Sequence, residues 1–566
     1  MKYIKIHNQL YQKVFCCLIL YLIVLKNIEC HAQNGICFQI NMQKAIECGL
    51  FSPLENDTVI IRGSFNEWSG NDYFLEDVNK DGIYENTFNI DSNFGIIQEF
   101  KYLIIKSTGQ ELWEKCPNKN NMPNGNRLLG STNTQMDDFD FDKYYLGVIG
   151  KDVIFSVEEI KNDFIQFRNT LEEQHCCLYE YTNKQEFDSI FDSQFHLLTK
   201  PMSPNEFFKI LTPITAKIGC GHTAVWMPGG FWDYGKNKLF PLKIRFIEDL
   251  VVVAGSYEDS SVIRYGSIIL EINGVPISDI IHEMRDNYSA DAMNIHFINS
   301  QIEQRFPLIY ARRFGFKDEF KIKYIEPGKK KGEIKEISPT SSSMVRSVVF
   351  RNFEHPPLQM EITDSRTVIM KIPTFIYYDR VSYFTNFIDS CFAIIRDKGI
   401  NNLILDLRGN DGGDPFCAAP LFSYLQKEPS PYFAESYGKY SELAKPLPLP
   451  KNHFMGNLYT IIDGRCFSTN GHFCALLKYH NIGKFVGKKS GATYKCNAGK
   501  NTQIHLSNTN IMLYFGRSTF AAAVKGMDKT KPIIPDYPVI ETYQDFLNGN
   551  DVFMETALML MDNMKY

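Results

Sequence analysis

Apolar and polar positions follow different periods in successive parts of the chain. Over residues 37–138 short apolar runs alternate with turn-rich stretches. Residues 58–62, 88–90 and 100–105 read as strands and Asn79-Lys80-Asp81-Gly82 as a hairpin turn, which predicts a small β-sandwich. Over 142–240 the period lengthens to three or four residues. DVIFSVEEIKNDFIQFRNTLEEQ predicts a helix with a capping box at Ser156 and Glu159, NKQEFDSIFDSQFHLLTK a second, and SPNEFFKILTPITAKI a third opened by Ser203-Pro204. Over 241–326 strand pairs return, with a turn at Asn273-Gly274 and a short helix from Ser278. Residues 327–345 are polar, with Pro, Gly, Ser and the run Lys329-Lys330-Lys331, and read as an exposed linker. From 346 to 566, strand VIMKIP, helix VSYFTNFIDSCFAIIRDKG and strand NNLILDL make a β-α-β unit. The chain is therefore expected to be an α+β multidomain protein.

Composition narrows this. The chain has 566 residues, 44% of them hydrophobic, so several cores rather than disorder are expected. A net charge of -5 gives no footprint for nucleic acid. Residues 1–32 carry Lys2, Lys5 and Lys13, an apolar run over 14–25, and Cys30-His31-Ala32. This pattern predicts a secretory signal cleaved after Ala32, with an apolar run shorter than the roughly 20 residues of a membrane span. The expected mature protein is exported, periplasmic or extracellular, and has no stable membrane span. Its cysteines include no C-x-x-C pair, so neither zinc nor another metal is expected, and no motif points to a cofactor.

Candidate chemistry centres on residues 457–480, NLYTIIDGRCFSTNGHFCALLKYH, which read as strand, sharp turn and helix. Ser468 stands where the helix begins. It is either an N-cap or a nucleophile lying at the positive end of the helix dipole. Two other features complete a possible site. His222 follows Gly219-Cys220-Gly221 at a turn into a strand, and Gly412-Gly413 follows the buried strand NNLILDL, where paired glycines can point N–H groups at a ligand. No G-K-[ST] or dinucleotide pattern accompanies those glycines, and no H-E-x-x-H is present.

In the first segment Trp68 of GSFNEW, Lys101 of FKYLI and Trp113 of QELWE could stack on a sugar and bond its hydroxyls, or the indoles could be core filler. On these motifs the segment resembles the starch- and glycogen-binding modules, immunoglobulin-like β-sandwiches in which the corresponding Trp, Lys and Trp bind α-glucan. Asp77-x-Asn79-x-Asp81-Gly82 begins like a calcium loop, but Phe88 stands where the closing Glu belongs, so a plain turn is expected.

The ordered set G-H-T, a PDZ-like insert, L-I-L-D-L-R-G-N-x-G-G, strand–Ser–helix, G-x-x-S/T-G and I-x-P-D resembles the tail-specific (C-terminal-processing) serine peptidase family from about residue 142 onward. The resemblance implies a helical subdomain over 142–240, a peptide-receiving PDZ-like domain over 241–326, and a crotonase/ClpP-like ββα-spiral core over 346–566. It places Ser468 as nucleophile, and Gly412, Gly413 and Thr469 at the oxyanion hole. The processing branch of the family uses a lysine base, but Ala492 occupies its place here, flanked by Lys488, Lys489 and Lys495. The tricorn-like branch uses a histidine before Thr, which matches His222. That branch orients its histidine with a preceding Ser and a Glu near the terminal P-D. Here Gly221 stands at the first position and the nearest carboxylate to the second is Asp528, so Cys220 or a backbone carbonyl are the other candidates. The expected function is an exported serine endopeptidase acting on protein or peptide through a Ser/His pair. The alternative is a weak or inactive peptide- and glycan-binding protein on the same scaffold.

Overall fold

Five consecutive buried residues, Asn402–Asp406, form the central strand on which the larger part of the protein is built. In the computed structural model residues 35–563 are described, apart from 91–98, 116–125, 130–133, 135, 142, 149–151, 259–262, 350–356 and 364–365. The expected signal over 1–32 lies outside the described residues. The chain divides into two compact units, Met1–Asp152 and Val153–Tyr566.

The main sheet of the second unit contains, side by side, β1 (Gln359–Ile362), β2 (Thr367–Lys371), β3 (Asn402–Asp406), β4 (Asn457–Ile462), β5 (Lys484–Gly487) and β6 (Tyr537–Pro538). β1 pairs antiparallel and the rest are parallel. A parallel strand covered on both faces needs an apolar run, and β3 supplies one in Leu403, Ile404 and Leu405. Leu403 and Leu405 join the core beneath α1 (Val381–Asp397), α2 (Pro415–Leu425) and α3 (Thr469–Tyr479). Ile404 faces the other way, against Phe553, Ala557 and Met561 of α4 (Val552–Asp562).

Before this core come three helices, Val157–Gln174, Lys184–Phe195 and Pro204–Ile218. The first has the capping box expected at Ser156 and Glu159, and Ser203 with Glu206 forms another at the third. An antiparallel sheet then runs in the order Leu242–Ile247, Leu250–Ser256, Ile268–Ile272, Phe320–Ile325, Glu333–Ile337. Its last strand corrects the expected linker over 327–345. Glu326 and Lys329 close a tight turn with Gly328 at φ 80°, and the charged residues that follow pair as an edge strand with Ile337 tucked into the core. A strand whose first four residues are exposed on both faces reads as linker because only its final apolar residue is buried. The sequence reading also missed the long helix Ile295–Phe314, opened by Asn294, whose side chain accepts from the N–H groups of His296 and Phe297. Pro307 and a non-helical Arg305 interrupt that helix and blur its period.

The first unit holds two sheets. One consists of Ile83–Phe88, Ile36–Asn41 and Asp137–Asp138, and the other runs Phe74–Leu75, Thr58–Gly63, Glu99–Ile105, Glu111–Trp113, with Arg127–Leu128 also on Glu99–Ile105. Phe38 and Ile40 from the first share one core with Val59, Ile61, Phe100, Tyr102 and Ile104 from the second. Asp77 accepts from the N–H groups of Asp81 and Gly82, so the residues resembling a calcium loop form a turn closed on its own backbone.

No helix among the described residues is long and apolar enough to cross a membrane. Leu405 is fully buried in the core that carries the glycine loop and α3. Leu405→Ala is expected to cost about 2–5 kcal/mol of unfolding free energy, read from urea denaturation.

Candidate active site

The loops after β3 and β4 meet at the carboxyl ends of adjacent parallel strands, a usual place for a site in such sheets. After β4, Asp463 turns the chain by accepting from the Arg465 N–H, and the same carboxylate accepts from the Gly409 N–H of the neighbouring loop. The turn ends at Ser468, which sits at φ 56° and ψ −125° immediately before α3. A non-glycine residue in that region is strained by about 1–3 kcal/mol and persists only where its surroundings hold it. Ser468 does not cap its helix through its side chain. Its Oγ lies 3.1 Å from His222 Nε2 instead. The N-cap reading of Ser468 therefore fails on geometry.

His222 reaches this point from the turn that ends helix Pro204–Ile218. Gly219 terminates that helix in the left-handed conformation, and Ala224–Trp226 then pairs with Met512–Phe515. The ring stacks on Phe467, with centroids 4.7 Å apart and planes at 20°, and Phe467 stacks in turn on Phe297 at 4.1 Å. Nδ1 of His222 is buried and has no hydrogen-bond partner among the described residues. Burial lowers the His222 pKa to about 4, so the ring is neutral at ordinary pH. For Nε2 to accept the serine proton, the ring proton must sit on Nδ1; that tautomer is inferred from the pairing.

None of the orienting groups considered from sequence touches the ring. Asp528 is engaged with Thr530 and Lys531, and the Cys220 thiol lies near the Asn497 carbonyl. Asp291, which the sequence reading passed over, instead holds the turn before His222: its Oδ1 accepts from the Gly221 N–H at 2.8 Å. The other oxygen, Oδ2, has no partner among the described residues, and burial raises the Asp291 pKa to about 7.

The glycine loop closes on the serine. A Cβ added to Gly412 would stand 2.7 Å from the Phe467 carbonyl oxygen and 2.9 Å from Ser468 Cβ, and one on Gly413 would stand 2.1 Å from the Phe375 backbone. Both glycines have positive φ, at 98° and 144°. The Gly412 N–H donates to Asn410 Oδ1, so Gly412 supplies close approach rather than an oxyanion donor, which corrects the expectation from sequence. The Gly413 N–H has no acceptor among the described residues, and the Thr469 N–H is the first of α3, with no intrahelical acceptor. Asn470 Nδ2 donates to the Asn410 carbonyl and Thr469 Oγ1 to the Gly413 carbonyl, tying helix to loop. Asn410 stood in the glycine motif without an assigned role, and Asn470, next to Thr469, escaped the sequence reading; buried amides beside a glycine turn were the available signal.

These groups open on a cavity of about 450 Å³ lined by Ser468, His222, Gly413 and aromatic residues including Tyr378, Phe433 and Phe520. His472, one turn after Ser468, also lines it. It is buried, neither ring nitrogen is hydrogen-bonded among the described residues, and burial lowers its pKa to about 3. The Phe520 backbone lies nearby, outside hydrogen-bond geometry. Lys495, a candidate base by position, is paired with Glu180, which also takes Lys529 at 3.0 Å. Burial alone would lower the Lys495 pKa, but Glu180 raises it on balance, away from a base's requirement. Lys500 lines the cavity but is exposed and makes no contact with Ser468.

In the first unit, Trp68 and Trp113 are half-buried, with ring centroids 6.4 Å apart, and neither belongs to the core. Lys101 lies on the strand next to Trp113, two residues from its partner Leu103 and therefore on the same face.

Residues 366–539 match the peptidase family S41. This part of the chain is a peptidase family S41 domain, and the chain is a serine-type peptidase. Among solved structures, a mutant of CPAF matches with TM-score 0.54 and 12% identity, covering 72% of this chain and 98% of that one. Mature CPAF complexed with lactacystin matches with TM-score 0.53 and 13% identity, over 72% and 98%. At such identities the likeness is one of fold. No curated protein matches the sequence.

Buried neutral histidines link stability to pH. His472 has a folded pKa of about 3 against an ordinary 6.5, so below pH 6.5 the unfolded chain binds more protons and stability falls as pH drops toward 3. Asp291 acts with the opposite sign, since its raised pKa favours the folded state at low pH and that contribution is lost as pH rises toward 7. His472→Gln isolates one histidine. Between pH 6 and 4 its unfolding free energy should depend on pH less steeply than wild type by up to about 1.4 kcal/mol per unit, measured by urea titration.

Proposed function

We propose that the protein is an exported endopeptidase in which Ser468 attacks a peptide carbonyl while His222 Nε2 takes its proton. The carbonyl oxygen becomes an oxyanion facing the N–H groups of Gly413 and Thr469. Collapse of the tetrahedral intermediate breaks the C–N bond, and the His222 proton goes to the leaving amine. Water, deprotonated by His222, then attacks the acyl-enzyme, and the released acid regenerates Ser468. The 3.1 Å contact between Ser468 Oγ and His222 Nε2, made by a serine that caps nothing, carries this reading. The commitment of Lys495 to Glu180 favours histidine over lysine as base. Export rests on the signal-like pattern of residues 1–32. The reading also takes the 242–337 sheet as a PDZ-like module receiving peptide, the first unit as an immunoglobulin-like sandwich, and the β1–β6 layer as a crotonase/ClpP-like core.

A fluorophosphonate probe tests the pair. Wild type should be labelled, Ser468→Ala should not, and His222→Ala should react at least about a hundredfold more slowly. The labelling rate should hold down to an acid limb near pH 4, where His222 becomes protonated, rather than the 6.5 of a solvated histidine. Undiminished labelling of Ser468→Ala would falsify the nucleophile.

A glycan-binding role for the first unit is favoured by one feature, two half-buried indoles placed side by side outside the core. Maltoheptaose should then quench tryptophan fluorescence and retard the protein on amylose gels, and Trp113→Ala should weaken binding by about tenfold or more. Equal migration with and without amylose would remove this role and leave the peptidase reading intact.

A further inference from the structure

A second cavity of about 230 Å³ has Phe467 and Gly221 in its wall but neither Ser468 nor His222. Three guanidinium groups line it, those of Arg305, Arg312 and Arg313. Arg313 is committed, donating to Glu283 and to Thr212 Oγ1 at 2.8 Å each. The one carboxylate in the wall, Asp411, is likewise committed to Arg465 and also accepts from Gln301. Arg312 is different. Its Nε reaches only the Leu308 carbonyl of its own helix, and its guanidinium sits 5.9 Å from the Phe208 ring centroid and 5.6 Å from that of Trp226. It meets no carboxylate among the described residues, and Arg305 lies close enough to repel it. Burial and that repulsion bring its pKa down to about 10, which leaves it cationic at neutral pH.

A cation held among aromatic rings without a counter-charge is costly unless an anion completes it. We propose that this cavity binds a small organic carboxylate, its anionic end on Arg312 and its apolar body against Val225, Met284, Ile309 and Phe467. The planar fork of a guanidinium matches a carboxylate with two parallel hydrogen bonds. The apolar walls separate this ligand from inorganic phosphate, which would leave them uncovered. The volume lies below the roughly 300 Å³ at which sites for drug-sized ligands begin, so the occupant is a short acid or the terminal residue of a longer chain. Asn287 and Tyr288, both half-buried, also line the cavity. Because Phe467 carries the stacked His222 ring, the ligand lies one aromatic ring away from that base. The assignment does not depend on Ser468 being the nucleophile.

Calorimetry on the intact Ser468→Ala protein tests this without cleavage, using 4-methylvalerate, its uncharged amide and inorganic phosphate. The acid should bind, the amide should bind at least about tenfold more weakly, and Arg312→Gln should lose at least about tenfold for the acid. A peptide ending in leucine, with a free or an amidated carboxyl, identifies the source. Competition by the free form alone means a polypeptide terminus, and competition by neither means a free acid. Should Arg312→Gln fail to fold in a thermal melt, the acid–amide comparison decides by itself. Equal affinity for acid and amide, tighter binding of phosphate, or no binding of the acid at millimolar concentration overturns the proposal.

Discussion

The site depends on how closely two loops can approach. Gly412 lies against the Phe467 carbonyl and the Ser468 side chain at a distance that admits no Cβ. That contact brings the carboxyl ends of β3 and β4 together and leaves the Gly413 and Thr469 N–H groups beside the serine without acceptors among the described residues. The surroundings must also hold Ser468 at positive φ, a strain of about 1–3 kcal/mol. Asn470, donating to the Asn410 carbonyl, and Asp463, accepting from the Gly409 N–H, tie the loops together, and Asn410 Oδ1 braces Gly412 within its own loop, each bond worth about 0.5–1.5 kcal/mol net. Those amides and that carboxylate are part of the geometry of the proposed site although none need touch a substrate.

The proposed base is held by different physics. Among the described residues the His222 ring is hydrogen-bonded to Ser468 alone, and its orientation comes from the stack on Phe467 and Phe297 and from the turn that Asp291 pins. Aromatic contact of this kind contributes about 0.5–1.5 kcal/mol and fixes the ring plane, but it offers an imidazolium no charge. Burial without a carboxylate on Nδ1 is also why the pKa falls to about 4. Such a base is available over a wide pH range and is intrinsically weak. Proton transfer to it is favourable chiefly while the oxyanion is forming next to it.

Much of this was legible in the sequence, for reasons specific to each element. Strands such as β3, buried on both faces, announce themselves as apolar runs, and the Ser156 box and Asn273-Gly274 turn are local signals that tertiary packing did not override. Ser468, His222 and the glycine pair could be picked out because strand–turn–helix and glycine-flanked histidine are short-range patterns. What escaped reading was of two kinds. Glu333–Ile337 is an edge strand whose pairing, not its composition, makes it a strand. The helix Ile295–Phe314 carries an internal proline and brings Phe297 and Arg312 to places defined only by its packing. The role of Gly412 was misassigned because sequence shows that a glycine is present but not whether its N–H is already taken by Asn410.

The departure at Gly221 follows from the same packing. Here a Cβ at residue 221 would stand 2.6 Å from the Phe467 ring, so a serine and this phenylalanine cannot share the space without a shift. Glycine at 221 and phenylalanine at 467 are therefore one structural choice, in which the stacked ring fills the space a side chain at 221 would need. The choice leaves the orientation of the His222 ring to an aromatic wall, and Phe467 of that wall also lines the cavity that holds Arg305, Arg312 and Arg313. The ring that steadies the base is thus also the surface through which the second cavity adjoins it.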